Sequence, residues 1–212
     1  MKREVKPEET SRAQSYGLWM TSPMPMVTIT KTFDVSNLYK VSRRRGVKFN
    51  MLLCWCIVQA ASEVEEFYTV PEGGKLYRYD KLAVDVIVVS EAGRLTFCDI
   101  PYTNTIEEFN GEYERRTRKS IETGEFISEE GAMVIGTSAI VGTEIDSITN
   151  QYTDKFCNPM VMWGKYRKSW LKVTLPISFQ FHHVQMDGGH AVRFLEVLQR
   201  KMREAKYRGN FL

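Results

Sequence analysis

The sequence predicts an α+β fold, and three features carry the prediction. Runs that alternate apolar and polar residues with a period of two recur along the chain, helical stretches with a 3.6-residue period are interleaved with them, and two strand pairs are spaced closely enough to be hairpins. Neither internal repeats nor low-complexity linkers interrupt the 212 residues, so one domain spanning 1–212 is expected.

The first alternating run is MVTITKTFDV, 26–35; Ser36 is expected to cap a short helix, NLYKVSRRRG, that stops at Gly46. NMLLCWCIVQAASEVEEF, 50–67, reads as a helix buried through most of its length, because charge enters only near its end. Two strands, KLAVDVIVVS and RLTFCDIPY, follow across the turn Glu91-Ala92-Gly93. TIEEFNGEYERRTRKSIETGE, 105–125, is an amphipathic helix whose charges form its solvated face. AMVIGTSAI is a strand, and PMVMWGKYRK with WLKVTLPISFQFHH forms a second hairpin. The closing helix, GHAVRFLEVLQRKMREA, presents Ala191, Phe194, Leu195 and Leu198 as its inner stripe.

Composition excludes several classes. The 29 basic and 26 acidic residues nearly balance, and their even spread argues against a nucleic-acid surface. The charged start MKREVKPEETSRAQ is neither a secretory signal nor a transit peptide, and no apolar run is long enough for a membrane span, so a cytoplasmic protein with no membrane partner is expected. The four cysteines fit that compartment. Cys54 and Cys56 fall on different faces of the buried helix, Cys98 and Cys157 are isolated, and none has zinc-ligand or redox spacing, so all are expected as reduced thiols.

All three histidines fall within FHHVQMDGGH, 181–190, at a junction between the last strand and the last helix. Three readings compete there: a structural hydrogen-bonded cluster, a metal site, and a catalytic base. Asp187-Gly188-Gly189 is a turn signal that would break the helix His183 and Asp187 need in order to share a face, and no third ligand stands ready, so no metal is expected. The structural and catalytic readings stay open on these residues alone.

The longer stretch QFHHVQMDGGH resembles the signature of chloramphenicol acetyltransferases. Gln180, His182, His183, Asp187, Gly188 and His190 match it, whereas Phe181 is bulkier than the usual aliphatic, Val184 replaces a small residue and Gly189 replaces an aromatic. The core His-His-x-x-x-Asp-Gly is also found in dihydrolipoamide acyltransferase cores and in peptide-synthetase condensation domains. WGKYRKSWLKVTLPISFQFHH, VKFNMLLCWCIVQA, GTSAI and TSRAQSYGLW are similar to further segments of the first family, colinear over nearly the whole chain.

The resemblance implies a two-layer α/β sandwich, with a mixed sheet carrying its helices on one face. It implies an O-acetyltransferase using acetyl-CoA as co-substrate in a ternary complex, with chloramphenicol the best single candidate for acceptor. His183 would be the general base, neutral and with its second nitrogen tied to a carbonyl or similar acceptor; His182 would be structural, on the opposite face of the strand. Asp187 would be supported by an ion pair with Arg12, and Ser138 would donate to the tetrahedral oxyanion. Lys48, Lys165 and Tyr166 match CoA-contacting positions, although Asn50 replaces an aromatic and Met162 a polar residue there. Arg43, Arg44 and Arg45 read as a solvated helix end. Trp19, with Met24 and Met26, would line the acceptor pocket, Met20 also lying in that segment. A homotrimer with each site between two subunits is implied as well. Two alternatives share these residues: the same chemistry on another hydroxyl or amine, and a catalytically silent trimer binding CoA or a partner.

Overall fold

The computed structural model describes residues 1–153 and 156–209. Strand β1 (Lys2–Val5) and helix α1 (Ala13–Trp19) precede β2 (Met26–Asp34), α2 (Ser36–Arg45) and α3 (Phe49–Ser62). Strands β3 (Thr69–Glu72), β4 (Lys75–Tyr79), β5 (Lys81–Val89) and β6 (Leu95–Pro101) lead to α4 (Ile106–Thr123). Then come β7 (Ala132–Ala139), β8 (Met160–Trp163), the two-residue β9 (Arg167–Lys168), β10 (Val173–His182) and α5 (Gly188–Glu204).

The main sheet has the order β2-β10-β8-β7-β5-β6, with β9 on β10. It is mixed: β7 runs parallel to both β5 and β8, while β5–β6, β8–β10 and β2–β10 are antiparallel. Both expected hairpins are present. A separate three-stranded sheet, β1-β4-β3, was not foreseen. Its strands are only four or five residues long, too short to display alternation.

Alternation decides the layers. Ile177, Phe179 and Phe181 of β10, Val161 and Trp163 of β8, Met133 and Ile135 of β7, and Val84 and Val86 of β5 all enter one core. That core is closed by Leu52, Leu53, Cys56 and Ile57 of α3 and by Ala191, Phe194, Leu195 and Leu198 of α5, the stripe expected for the last helix. Helices α2 to α5 thus share one face of the sheet, as the two-layer reading implied. The opposite face carries Thr28 and Thr30, Ser178, Gln180 and His182, Met160 and Met162, and Ser138.

Three local expectations change. Val35, not Ser36, is the N-cap residue of α2; Asp34 accepts from the Ser36 amide at 3.0 Å, which frees the Ser36 hydroxyl to accept from Val173 N–H at 3.0 Å. The helix read to residue 67 ends at Ser62, and Glu65–Tyr68 forms a separate 3-10 turn. Asp187-Gly188-Gly189 is not a helix-breaking turn: Gly188 and Gly189 have ordinary negative φ and begin α5, with Asp187 as its N-cap. All four cysteines are buried, and burial pushes the Cys54 and Cys98 thiols up to about 12.

Candidate active site

β10 ends at His182, and the chain turns at His183 toward α5. The two histidines part there. His182 is 1% exposed, and its Nδ1 accepts from the Val184 amide at 3.1 Å. Burial, and then the neighbouring His183, push its pKa down to about 4, so it is neutral and structural in character. His183 is half-buried, and its own amide donates to Pro25 O at 2.8 Å, tying the turn to the segment before β2.

The His183 ring lies flat on Trp19, centroids 4.7 Å apart and planes 9° apart. Its Nδ1 is buried without a hydrogen-bond partner among the described residues, so the carbonyl tether expected for that nitrogen is absent. Stacking on the indole orients the ring instead, a contact worth about 0.5–1.5 kcal/mol beyond area burial. Since Nδ1 is enclosed, the exposed part of the imidazole lies elsewhere on the ring.

Arg12 holds the turn from behind. Its side chain is 7% exposed; Nη2 donates to His183 O at 3.0 Å, Nε to Val184 O at 2.9 Å, and Nη1 to Asp187 Oδ2 at 3.1 Å. The other carboxylate oxygen of Asp187 accepts from Gly189 N–H at 3.1 Å at the start of α5. Burial opposes the charge on Asp187, but the Arg12 hydrogen bond, His190 and the backbone outweigh it and hold the carboxyl below its ordinary range. His190 completes the capping box: Nδ1 accepts from the Asp187 amide at 3.3 Å, and Nε2 lies 3.1 Å from Glu66 Oε1. Nδ1 is also 3.1 Å from Asp187 Oδ1, a contact that becomes attractive when the ring is protonated.

The remaining expected residues divide into two groups. Trp19 touches His183 and Met26 pairs with His182 across the β2–β10 ladder, whereas Met24 is 65% exposed and Met20 half-buried, each with no ring or polar contact to the turn. Lys48, Lys165 and Tyr166 meet in one pocket of about 410 Å³ with Phe49, Asn50, Tyr113, Val141, Trp163 and Gly164. That pocket is at the other end of the sheet. Trp163 is level with Ile177 and Arg167 with Thr174, so the pocket lies roughly 20–25 Å along β10 from His183 at about 3.3 Å per residue.

Ser138 is apart from both groups, on the sheet face opposite the core. It pairs with Met162, which pairs with Ser178, placing it about 13 Å along and roughly 10 Å across the sheet from the end of β10. A single chain therefore does not bring Ser138 to His183. Beyond Ser138 the same sheet face becomes apolar and uncovered: Ile87 faces Phe97 and Val89 faces Leu95 across β5–β6, with Phe126 edge-on to Phe97. Asp85 pairs with Asp99 on that face, and burial, then the Asp99 charge, push its carboxyl up to about 7.

The sequence reading missed Pro25, Glu66, Phe49 and Tyr113. A contact through a backbone carbonyl, as at Pro25, leaves no mark on side-chain choice. Among the described residues no cluster of three or more His, Cys, Asp or Glu could hold a metal, and no helix is long and apolar enough to cross a membrane.

A mixed sheet with helices on one face and a His-His-x-x-x-Asp-Gly turn at the end of its long last strand is the architecture of the CoA-dependent acyltransferases. Within that class the chain belongs to the chloramphenicol acetyltransferase family, whose profile matches residues 6–199. It is 26% identical over 180 residues to chloramphenicol acetyltransferase 3 of Escherichia coli, covering 81% of this chain and 83% of that one. A solved chloramphenicol acetyltransferase superposes with a TM-score of 0.79 at 19% identity, over 95% of this chain and 100% of that one. A probable dihydrolipoamide acetyltransferase from Listeria monocytogenes shares the fold, with a TM-score of 0.69 at 11% identity over 99% and 97% of the two chains.

Proposed function

We propose that this chain is an acetyl-CoA-dependent O-acetyltransferase, that chloramphenicol is its acceptor, and that His183 is its general base. The observation that carries the proposal is the His183 turn: Arg12 fixes two successive carbonyls and Asp187 from behind, while Trp19 holds the ring in front. A base must be fixed to within a fraction of an ångström to act, and this support does so without blocking the whole ring.

In the reaction His183 takes the proton of the acceptor hydroxyl as its oxygen attacks the thioester carbonyl. The tetrahedral oxyanion accepts a hydrogen bond from Ser138; the C–S bond then breaks, and the proton passes from His183 to the departing CoA thiolate. Lys48, Lys165 and Tyr166 bind CoA in the 410 Å³ pocket. No acyl-enzyme is required.

Within one chain the base and Ser138 lie too far apart to act on one carbonyl, so the active unit is an oligomer in which the base of one copy meets Ser138 of the next. The family relationship favours a trimer, and the uncovered apolar face of β5–β6, with Trp19 and Met26 across the junction, would wall the acceptor pocket. The chain acts as one domain in the cytoplasm, where acetylation of the drug would confer resistance. A thiol-release assay with acetyl-CoA and chloramphenicol tests the reading. Rapid drug-dependent release supports it, release only with other hydroxyl or amine acceptors transfers the chemistry to another substrate, and no release with any acceptor overturns it.

A further inference from the structure

The 410 Å³ pocket continues outward into an aromatic and cationic ledge. Tyr166, on its wall, packs against Phe49 at 5.2 Å and, edge-on, against Tyr39 of α2 at 5.4 Å. Lys168, two residues after Tyr166, donates to Tyr39 Oη at 2.8 Å, and its ammonium sits 4.4 Å from the Tyr39 ring centroid and 5.5 Å from that of Tyr166. Arg43 follows Tyr39 by one helical turn and so shares its face of α2. Its positive charge acts on both Tyr39 and Lys168. The nearby acids are committed elsewhere: Glu144 and Asp146 both pair with Arg167, the residue before Lys168, which as its neighbour in β9 points to the other face. Two cations therefore converge on one tyrosine with no carboxylate among the described residues paired to either.

Such an arrangement is electrostatically incomplete. Lys168 and Arg43 repel one another, and each pays side-chain entropy to be held, so an anion between them would relieve the repulsion and gain charge-assisted hydrogen bonds. We infer that Lys168, Arg43 and Tyr39 form an outer subsite that binds the phosphates of the nucleotide end of CoA, with Tyr39 fixing the Lys168 ammonium. The inference rests on the CoA reading of the inner pocket and extends it. It also assigns a role to Arg43 other than that of a solvated helix end, and it supplies binding contacts at a mouth where Asn50 offers no aromatic surface.

Calorimetric titration of the full-length protein with CoA, with dephospho-CoA and with pantetheine tests it. Lys168→Gln should weaken CoA binding about tenfold, and the Lys168→Gln/Arg43→Gln double variant should weaken it further. Both should flatten the salt dependence of CoA binding while altering pantetheine affinity far less. Tyr39→Phe, which keeps the ring and removes the acceptor for Lys168, should produce a smaller loss in the same direction. CoA binding by Lys168→Gln equal to that of the parent, or an equal loss for CoA and pantetheine, overturns the subsite while leaving the inner pocket intact. A parent protein that binds no CoA removes the acetyl-CoA reading itself, and the subsite with it.

Discussion

Replacing Arg12 with Met keeps a side chain of similar length and removes every hydrogen bond at its end. Two of the three go to main-chain carbonyls, of His183 and Val184, and only one to the Asp187 carboxylate. A buried carbonyl left without a donor costs about 1–3 kcal/mol. The Asp187 side chain is 45% exposed, so water can replace Arg12 there and the ion pair itself contributes only about 0.5–1 kcal/mol. Arg12→Met should therefore cost about 3–5 kcal/mol, a drop of roughly 6–20 °C in melting temperature for a chain of this length. Asp187→Asn, which can still accept from the start of α5, should cost far less. Turnover should fall steeply in Arg12→Met as the turn loosens. Differential scanning calorimetry with steady-state kinetics on both single variants and the double variant is the assay. Equal losses for Arg12→Met and Asp187→Asn, with a coupling energy as large as the whole Arg12 effect, would refute the reasoning, because the charge pair and not the carbonyl clamp would then hold the site.

Three further outcomes are expected. His183→Ala should fold and still bind CoA while losing about two to four orders of magnitude in turnover, and Trp19→Ala should lower kcat without a comparable loss of thermal stability; full activity in His183→Ala would end its assignment as base. His182 has a folded pKa of about 4 against an ordinary value near 6.5, so the unfolded chain binds more protons between those values; stability is fully present above pH ~6.5 and declines as pH falls toward 4, by up to about 3 kcal/mol. Acid titration of the melting temperature of His182→Gln should lack that component. Light scattering should report a trimer, and mixing His183→Ala subunits with Ser138→Ala subunits should restore part of the lost activity, whereas a stable active monomer would contradict the divided site.

Legibility followed the range of the forces involved. β10, α5 and the buried α3 were readable because each carries a long periodic pattern, and the Gln180–His190 motif was readable because its residues are consecutive. The Arg12–Asp187 pair came from resemblance, and no local pattern could have supplied it, because the partners are 175 positions apart. Gly188 and Gly189 were assigned to a turn, although the closing helix was read from Gly189, for a physical reason. Their intrinsic preference is for turns, but the Asp187 carboxylate satisfies the free amides at the start of a helix and makes that conformation the better one. The short strands β1, β3 and β4 were not legible because four or five residues cannot distinguish a strand from an extended loop.

The span of the Arg12 clamp also governs when the site comes into being. Residues 12, 19 and 25 come from the opening of the chain, while 183, 184 and 187 come from its closing part, and β2 pairs with β10 across a similar gap. Closing a free loop of that size costs about 4–5 kcal/mol in chain entropy, which the core must offset before the turn can lock. His183 is thus held by contacts that are among the most non-local of the described residues, the kind that form slowly and late. Recovered activity after dilution from denaturant should lag behind recovered helicity, so that turnover times the last step of refolding while circular dichroism times the earlier ones.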